Sequence, residues 1–151
     1  MERYFDAKAS LFKFGFSELA VINIDDEYGA KLLAQIDIPA VSVSRTGQAD
    51  WRYEEINKFN RGTSVKIRGR DGILIEGTTK LLGDYNLDNL LMAVAIAVIS
   101  GIDPIEIGSN LQHYVGAPGR VEQIEIGQDF MAFVDRSEEH TSELQSPCNL
   151  V

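Results

Sequence analysis

The spacing of apolar and polar positions changes several times along the chain, and each change marks an element. Residues 3–14 (RYFDAKASLFKF) carry apolar side chains at roughly helical spacing, which predicts a helix. Leu19 to Ile24 (LAVINI) is a short, nearly continuous apolar run, the texture of a strand buried on both faces in a parallel sheet. Asp25 and Asp26 follow, and EYGAKLLAQI then reads as a helix with an acidic first turn. Pro39 interrupts the chain, and AVSVS (40–44) predicts a second strand. Strand, helix and strand in this order favour an α/β unit.

From about residue 50 to 82 apolar and polar positions alternate instead. TSVKIRG and GILIEGTTKLL flank Gly69-Arg70-Asp71-Gly72, and Asp-Gly between alternating runs signals a hairpin. A small, half-exposed antiparallel sheet is expected there. Helical spacing returns at 86–100 (NLDNLLMAVAIAVIS) and stops at Gly101. Asp103-Pro104 opens a short helix with proline in its first turn. VEQIEIG and DFMAFVD then read as two strands joined by a Gly-Gln turn. The fold expected is α/β: part of a mainly parallel sheet with flanking helices, carrying a small antiparallel sheet.

Composition narrows the function. The chain has 151 residues, the size of one domain or a large part of one. With 14 basic and 23 acidic residues its net charge is −9, which argues against a nucleic-acid or anionic-membrane surface. The longest apolar run, Leu90 to Ser100, is far shorter than the roughly 20 residues a membrane span needs. Charged Glu2, Arg3, Asp6 and Lys8 do not suit a signal peptide. Cys148 is the only cysteine, so the chain forms no internal disulfide. The expectation is a soluble, reduced, cytoplasmic protein without membrane insertion. A chain this long buries a core, so any absent partner element should leave apolar surface exposed.

Four constellations are candidates for chemistry. Gly83-Asp84-Tyr85-Asn86-Leu87-Asp88-Asn89 sets two asparagines three apart before an apolar helix. Their carboxamides suit a purine edge or a phosphate, while on spacing alone Asn86 reads first as a cap of the helix. Gly116-Ala117-Pro118-Gly119-Arg120 brings a guanidinium to a strand edge. It suits phosphate oxygens, or a carboxylate such as Glu122. Lys8 stands between Ala7 and Ala9 and by itself reads as a solvated helix lysine. Asn23-Ile24-Asp25-Asp26 ends a strand, where carboxylates cap the next helix or line a crevice. His113 has no surroundings that suggest metal ligation, and no GxxxxGK[ST] phosphate loop occurs.

Taken in order, YFDAKASLF, AVINIDDEYG, GDYNLDNLLMAVAIA, GIDPIEI and GAPGRVE with a strand ending VD resemble the Mur ligases. The likeness is to the central, ATP-binding domain, in the members that add the third residue of the peptidoglycan stem peptide. It covers residues 1–135. It implies ATP-dependent amide ligation of a UDP-N-acetylmuramoyl dipeptide with diaminopimelate or lysine, using ATP and Mg2+. It also implies that Lys8 is carbamylated and supports the metal, that Asn86 and Asn89 serve the adenine, that Arg120 lies near the phosphates, and that Asp135 contacts the ribose. Folylpolyglutamate synthases and other Mur ligases share the fold. A non-catalytic nucleotide-binding or interaction module is the alternative of another class.

Departures from the family pattern accompany the likeness. The family's phosphate loop falls before Met1, so a fragment, inactive alone, is expected. After Asp135 the family's Tyr-Ala-His-Thr-Pro-Asp is replaced by Arg136 and an aperiodic stretch. Residues 136–151 (RSEEHTSELQSPCNLV) resemble a translated sequencing adapter joined to a truncated reading frame, and a non-native tail is expected.

Overall fold

The computed structural model describes residues 2–60 and 62–114, together with the backbone of strands 122–124 and 132–134. The chain divides into two compact units, residues 1–115 and 116–151. The first unit begins with α1 (Glu2–Ala9) and a 3-10 turn (Ser10–Phe12), where one continuous helix was expected. The Ser10 hydroxyl donates back to the Ala7 carbonyl at 2.6 Å, offering the backbone an alternative to a longer α-helix.

β1 (Ala20–Asn23), α2 (Glu27–Gln35) and β2 (Ala40–Ser44) form the expected strand–helix–strand unit, and β1 and β2 pair in parallel. β3 (Trp51–Phe59), β4 (Gly62–Arg68) and β5 (Leu74–Thr79) form an antiparallel meander. The meander is not a separate sheet. β2 pairs in parallel with β3 through Val43–Trp51 and Ser44–Arg52, giving one mixed sheet in the order β1-β2-β3-β4-β5. The connection, residues 45–50, is far shorter than the dozen or more residues of an ordinary parallel crossover. A two-residue overlap makes that possible, since the chain need only back up slightly.

The Asp-Gly hairpin forms as expected. Asp71 (φ 56°) and Gly72 (φ 78°) both adopt left-handed backbone, and Ile73 N–H donates to the Arg70 carbonyl at 3.1 Å. In β4, Thr63, Val65 and Ile67 face inward while Ser64, Lys66 and Arg68 alternate outward. β3 keeps Trp51 buried and turns Tyr53 and Ile56 toward the core, its period displaced by a bulge between Tyr53 and Glu55.

α3 (Asp84–Ile99) supplies Leu87, Leu90, Leu91, Val94 and Ala95 to a core shared with Val43, Trp51, Ile67 and Ile75. Its carboxyl end closes as expected at Gly101 (φ 94°): Gly101 N–H donates to Val98 and Ile102 N–H to Ala97. α4 (Pro104–Asn110) packs on β5, with Gly77 and Gly108 at the contact. A smaller cluster joins Ala20, Ile22 and Ile38 to Leu32, Leu33 and Ile36 of α2 and its flank. Apolar surface does remain open, with Phe14 92% and Phe16 77% exposed. Among the described residues no helix is long and apolar enough to cross a membrane. In the second unit, β6 (Glu122–Ile124) and β7 (Ala132–Val134) pair antiparallel, as expected.

Candidate functional site

The carboxyl ends of β1 and β2 and the amino end of α3 meet in one polar network. Asp26 caps α2, accepting from Gly29 N–H at 2.7 Å. Its neighbour Asp25 reaches across to the end of β2. Its carboxylate accepts from the Ser44 hydroxyl (2.5 Å), Arg45 N–H (2.7 Å) and the Thr46 hydroxyl (2.7 Å). Burial alone would raise the Asp25 carboxyl. The bonds from Ser44, Arg45 and Thr46 outweigh it and hold the group below its ordinary value. Asp25 thus clamps the start of the 45–50 connection.

Asp50 clamps the other end. It accepts from Ser42 N–H and the Ser42 hydroxyl, both at 2.8 Å, and from the Arg70 guanidinium at 2.9 Å. The Arg70 bond, opposed by partial burial and aided by Ser42, lowers its carboxyl to about 2. Sequence reasoning passed over Asp50 because its partners lie 8 and 20 residues away.

Arg45 extends the network to α3. Its Nε donates to Asp88 at 2.7 Å and its Nη1 lies 3.5 Å from Asp84, which also pairs with Lys58 at 2.8 Å. The Asp88 bond comes first among the causes that raise the Arg45 guanidinium, against partial burial, with Asp84 and Asp25 adding to it. The Tyr53 hydroxyl donates to the Leu87 carbonyl at 2.8 Å, and burial, then Asp88, push that phenol up. An open cleft lies beside these groups, lined by residues 45–48 and by Arg52, Tyr53 and Glu54.

The structure places the asparagine pair on the first turns of α3, but not as the cap expected for Asn86. The helix starts earlier, at Asp84, with Gly83 (φ 88°) before it, because glycine takes that backbone freely. Asn86 is the third helical residue, and its Nδ2 donates back to the Leu82 carbonyl at 2.7 Å. Its Oδ1 and second N–H have no other protein partner among the described residues, and Asn89 is exposed. Lys8 sits on α1, exposed, with Nζ 4.6 Å from the Tyr4 ring centre. It makes no hydrogen bond or ion pair with α3 among the described residues. Arg120, Asp135 and the 136–151 tail lie outside the described residues. Among those described, no three His, Cys, Asp or Glu side chains are grouped to hold a metal.

A crevice at the carboxyl ends of parallel strands, beside the start of a helix, is where open α/β sheets bind ligands. The model of the Mur ligase middle domain matches residues 1–97, and the chain belongs to the Mur ligase family. Over 137 residues it is 37% identical to the UDP-N-acetylmuramoyl-L-alanyl-D-glutamate–2,6-diaminopimelate ligase of Streptomyces coelicolor, covering 89% of this chain and 27% of that one. A protein of the same name from Gloeobacter violaceus is 39% identical over 139 residues, again covering 89% and 27%. The chain therefore spans about a quarter of the length of these relatives. Among solved structures, a ligase of that name superposes with a TM-score of 0.73 at 28% identity, covering 82% of this chain and 26% of that one. The folylpolyglutamate synthetase of Lactobacillus casei, at 19% identity and a TM-score of 0.68 over 88% of this chain and 34% of that one, shares the fold.

Proposed function

We propose that the chain is the central, ATP-binding part of a cytoplasmic ligase that extends a UDP-N-acetylmuramoyl dipeptide by one amino acid in peptidoglycan synthesis. ATP phosphorylates the free carboxylate of the dipeptide. The incoming amine then attacks the acyl phosphate, forms the amide and releases inorganic phosphate. The names of the Streptomyces and Gloeobacter relatives favour diaminopimelate over lysine as that amine. Residues 1–135 are the domain in this reading, and 136–151 are no part of it. The observation that carries it is the family match across 1–97, which takes in Lys8, Asn86 and Asn89.

In this reading Asn86 and Asn89 offer their carboxamides to the adenine edge. Arg120 serves the phosphates and Asp135 the ribose. Magnesium keeps several waters and needs only one or two carboxylates beside the nucleotide phosphates, so one carbamate on Lys8 suits a partial ligand set. The exposure of Lys8 leaves room for that group. The Tyr4 ring face suits the ammonium and not an anion, so the carbamate would turn away from it. When bound, the metal would offset charge on the phosphoryl group in transfer.

Titrating the isotope-labelled chain with adenosine and ADP tests the adenine assignment. Saturable shifts of the Asn86 and Asn89 carboxamide resonances are expected. Resonances unmoved at millimolar nucleotide would contradict it.

A further inference from the structure

α3 starts without a side-chain cap, because the residue before it is Gly83, which has none to offer. Four residues apart, Asp84 and Asp88 share one side of the helix. Asn86 and Asn89, three apart, share another, and at 3.6 residues per turn the two pairs point roughly opposite ways. The aspartate side is held by Arg45, whose side chain is 22% exposed, as is that of Asp88. Arg45 is held in turn, since its own N–H and both neighbouring hydroxyls, Ser44 and Thr46, donate to Asp25. A continuous path of bonds thus runs from the end of β1, through the 44–46 turn, to the helix that carries the asparagines.

We infer that Arg45 is a positioning residue for the asparagine pair, setting the pitch and azimuth of the start of α3 through Asp88 and Asp84. The inference rests on the adenine assignment above and deepens it. Arg45 does not touch the nucleotide in this arrangement. A fork that grips two carboxylates one helical turn apart fixes rotation as well as distance, which one ammonium group does less well. Lys58, 58% exposed and paired with Asp84, is the peripheral member.

The test uses the whole chain and adenosine as probe, reading carboxamide shifts, amide exchange of residues 84–90 and the thermal midpoint. Arg45→Met is expected to weaken adenosine binding about fivefold and to speed exchange at the start of α3. Asp88→Asn should do the same, the double variant should lose little more than either, and Arg45→Lys should restore part of the affinity. Lys58→Met should bind as the unchanged chain does. If Arg45→Met binds adenosine like the unchanged chain, the positioning role is wrong while the adenine assignment stands. Parallel loss of affinity and thermal midpoint, with no effect confined to residues 84–90, would also overturn it. No adenosine response in the unchanged chain would remove the adenine assignment and the positioning role together.

Discussion

Aspartates do much of the local work, and Asp25, Asp50 and Asp88 do it through partners distant in sequence. Asp50 shows how this bears on pH. Its folded value, about 2, lies below the roughly 3.9 of an unfolded aspartate. The stabilisation it gives is therefore present above about pH 4 and is lost as pH falls through about 2. Asp50→Asn is expected to cost about 1 kcal/mol at pH 7, after discounting for solvent around the half-exposed Arg70. The deficit should shrink on acidification. An equal deficit at pH 7 and pH 2.5 in chemical denaturation would refute the assignment. Lys8→Ala, made in the full-length ligase proposed above, should lower turnover about 100-fold, with partial rescue by a short-chain carboxylate. Normal turnover in that variant would remove Lys8 from the chemistry. Asp26 was legible as a cap because its partner Gly29 is three residues away. Arg45 was not, since Asp88 lies 43 residues further on and no local pattern announces the pair.

Elements with a local signal came through the sequence well. Period-two alternation around Asp71-Gly72 located β4, its turn and β5, because the turn needs left-handed backbone at both residues. The start of α3 was misplaced by two residues, since apolar spacing begins only at Leu87 while Gly83 already permits the helix to open. The joining of meander and parallel strands was also hidden. It depends on the six-residue connection that Asp25 and Asp50 pin, and alternation alone does not specify which edge meets which. The contact of α4 with β5 is close enough to be tested by one carbon atom. A β-carbon on Gly77 would stand 2.7 Å from the Gly108 carbonyl oxygen and 2.9 Å from Leu111. Gly77→Ala should destabilise by about 1–3 kcal/mol and raise exchange in residues 104–113. An unchanged midpoint would mean the contact is looser than described.

At the scale of the whole molecule the α/β class and the family were legible because several short motifs occur in order, though each alone is weak. The chain spans 27% of the Streptomyces ligase, and apolar side chains such as Phe14, Phe16 and Ile105 stand open to solvent. With no GxxxxGK[ST] motif in this sequence to cradle the phosphates, the chain alone should show no substrate-dependent ATP hydrolysis. Phosphate release above a boiled control would contradict that. Deleting residues 136–151, which lack periodicity and have few large apolar groups, should change stability by less than about 0.5 kcal/mol. A larger loss would show that the segment belongs to the fold. Ligase activity itself is the most direct measurement. The full-length ligase proposed above, carrying residues 1–135, is expressed, and phosphate release is followed with ATP and magnesium. Release that requires both the UDP-N-acetylmuramoyl dipeptide and diaminopimelate, with a tripeptide product, is the predicted result. Release indifferent to either substrate, or none with both present, would contradict it.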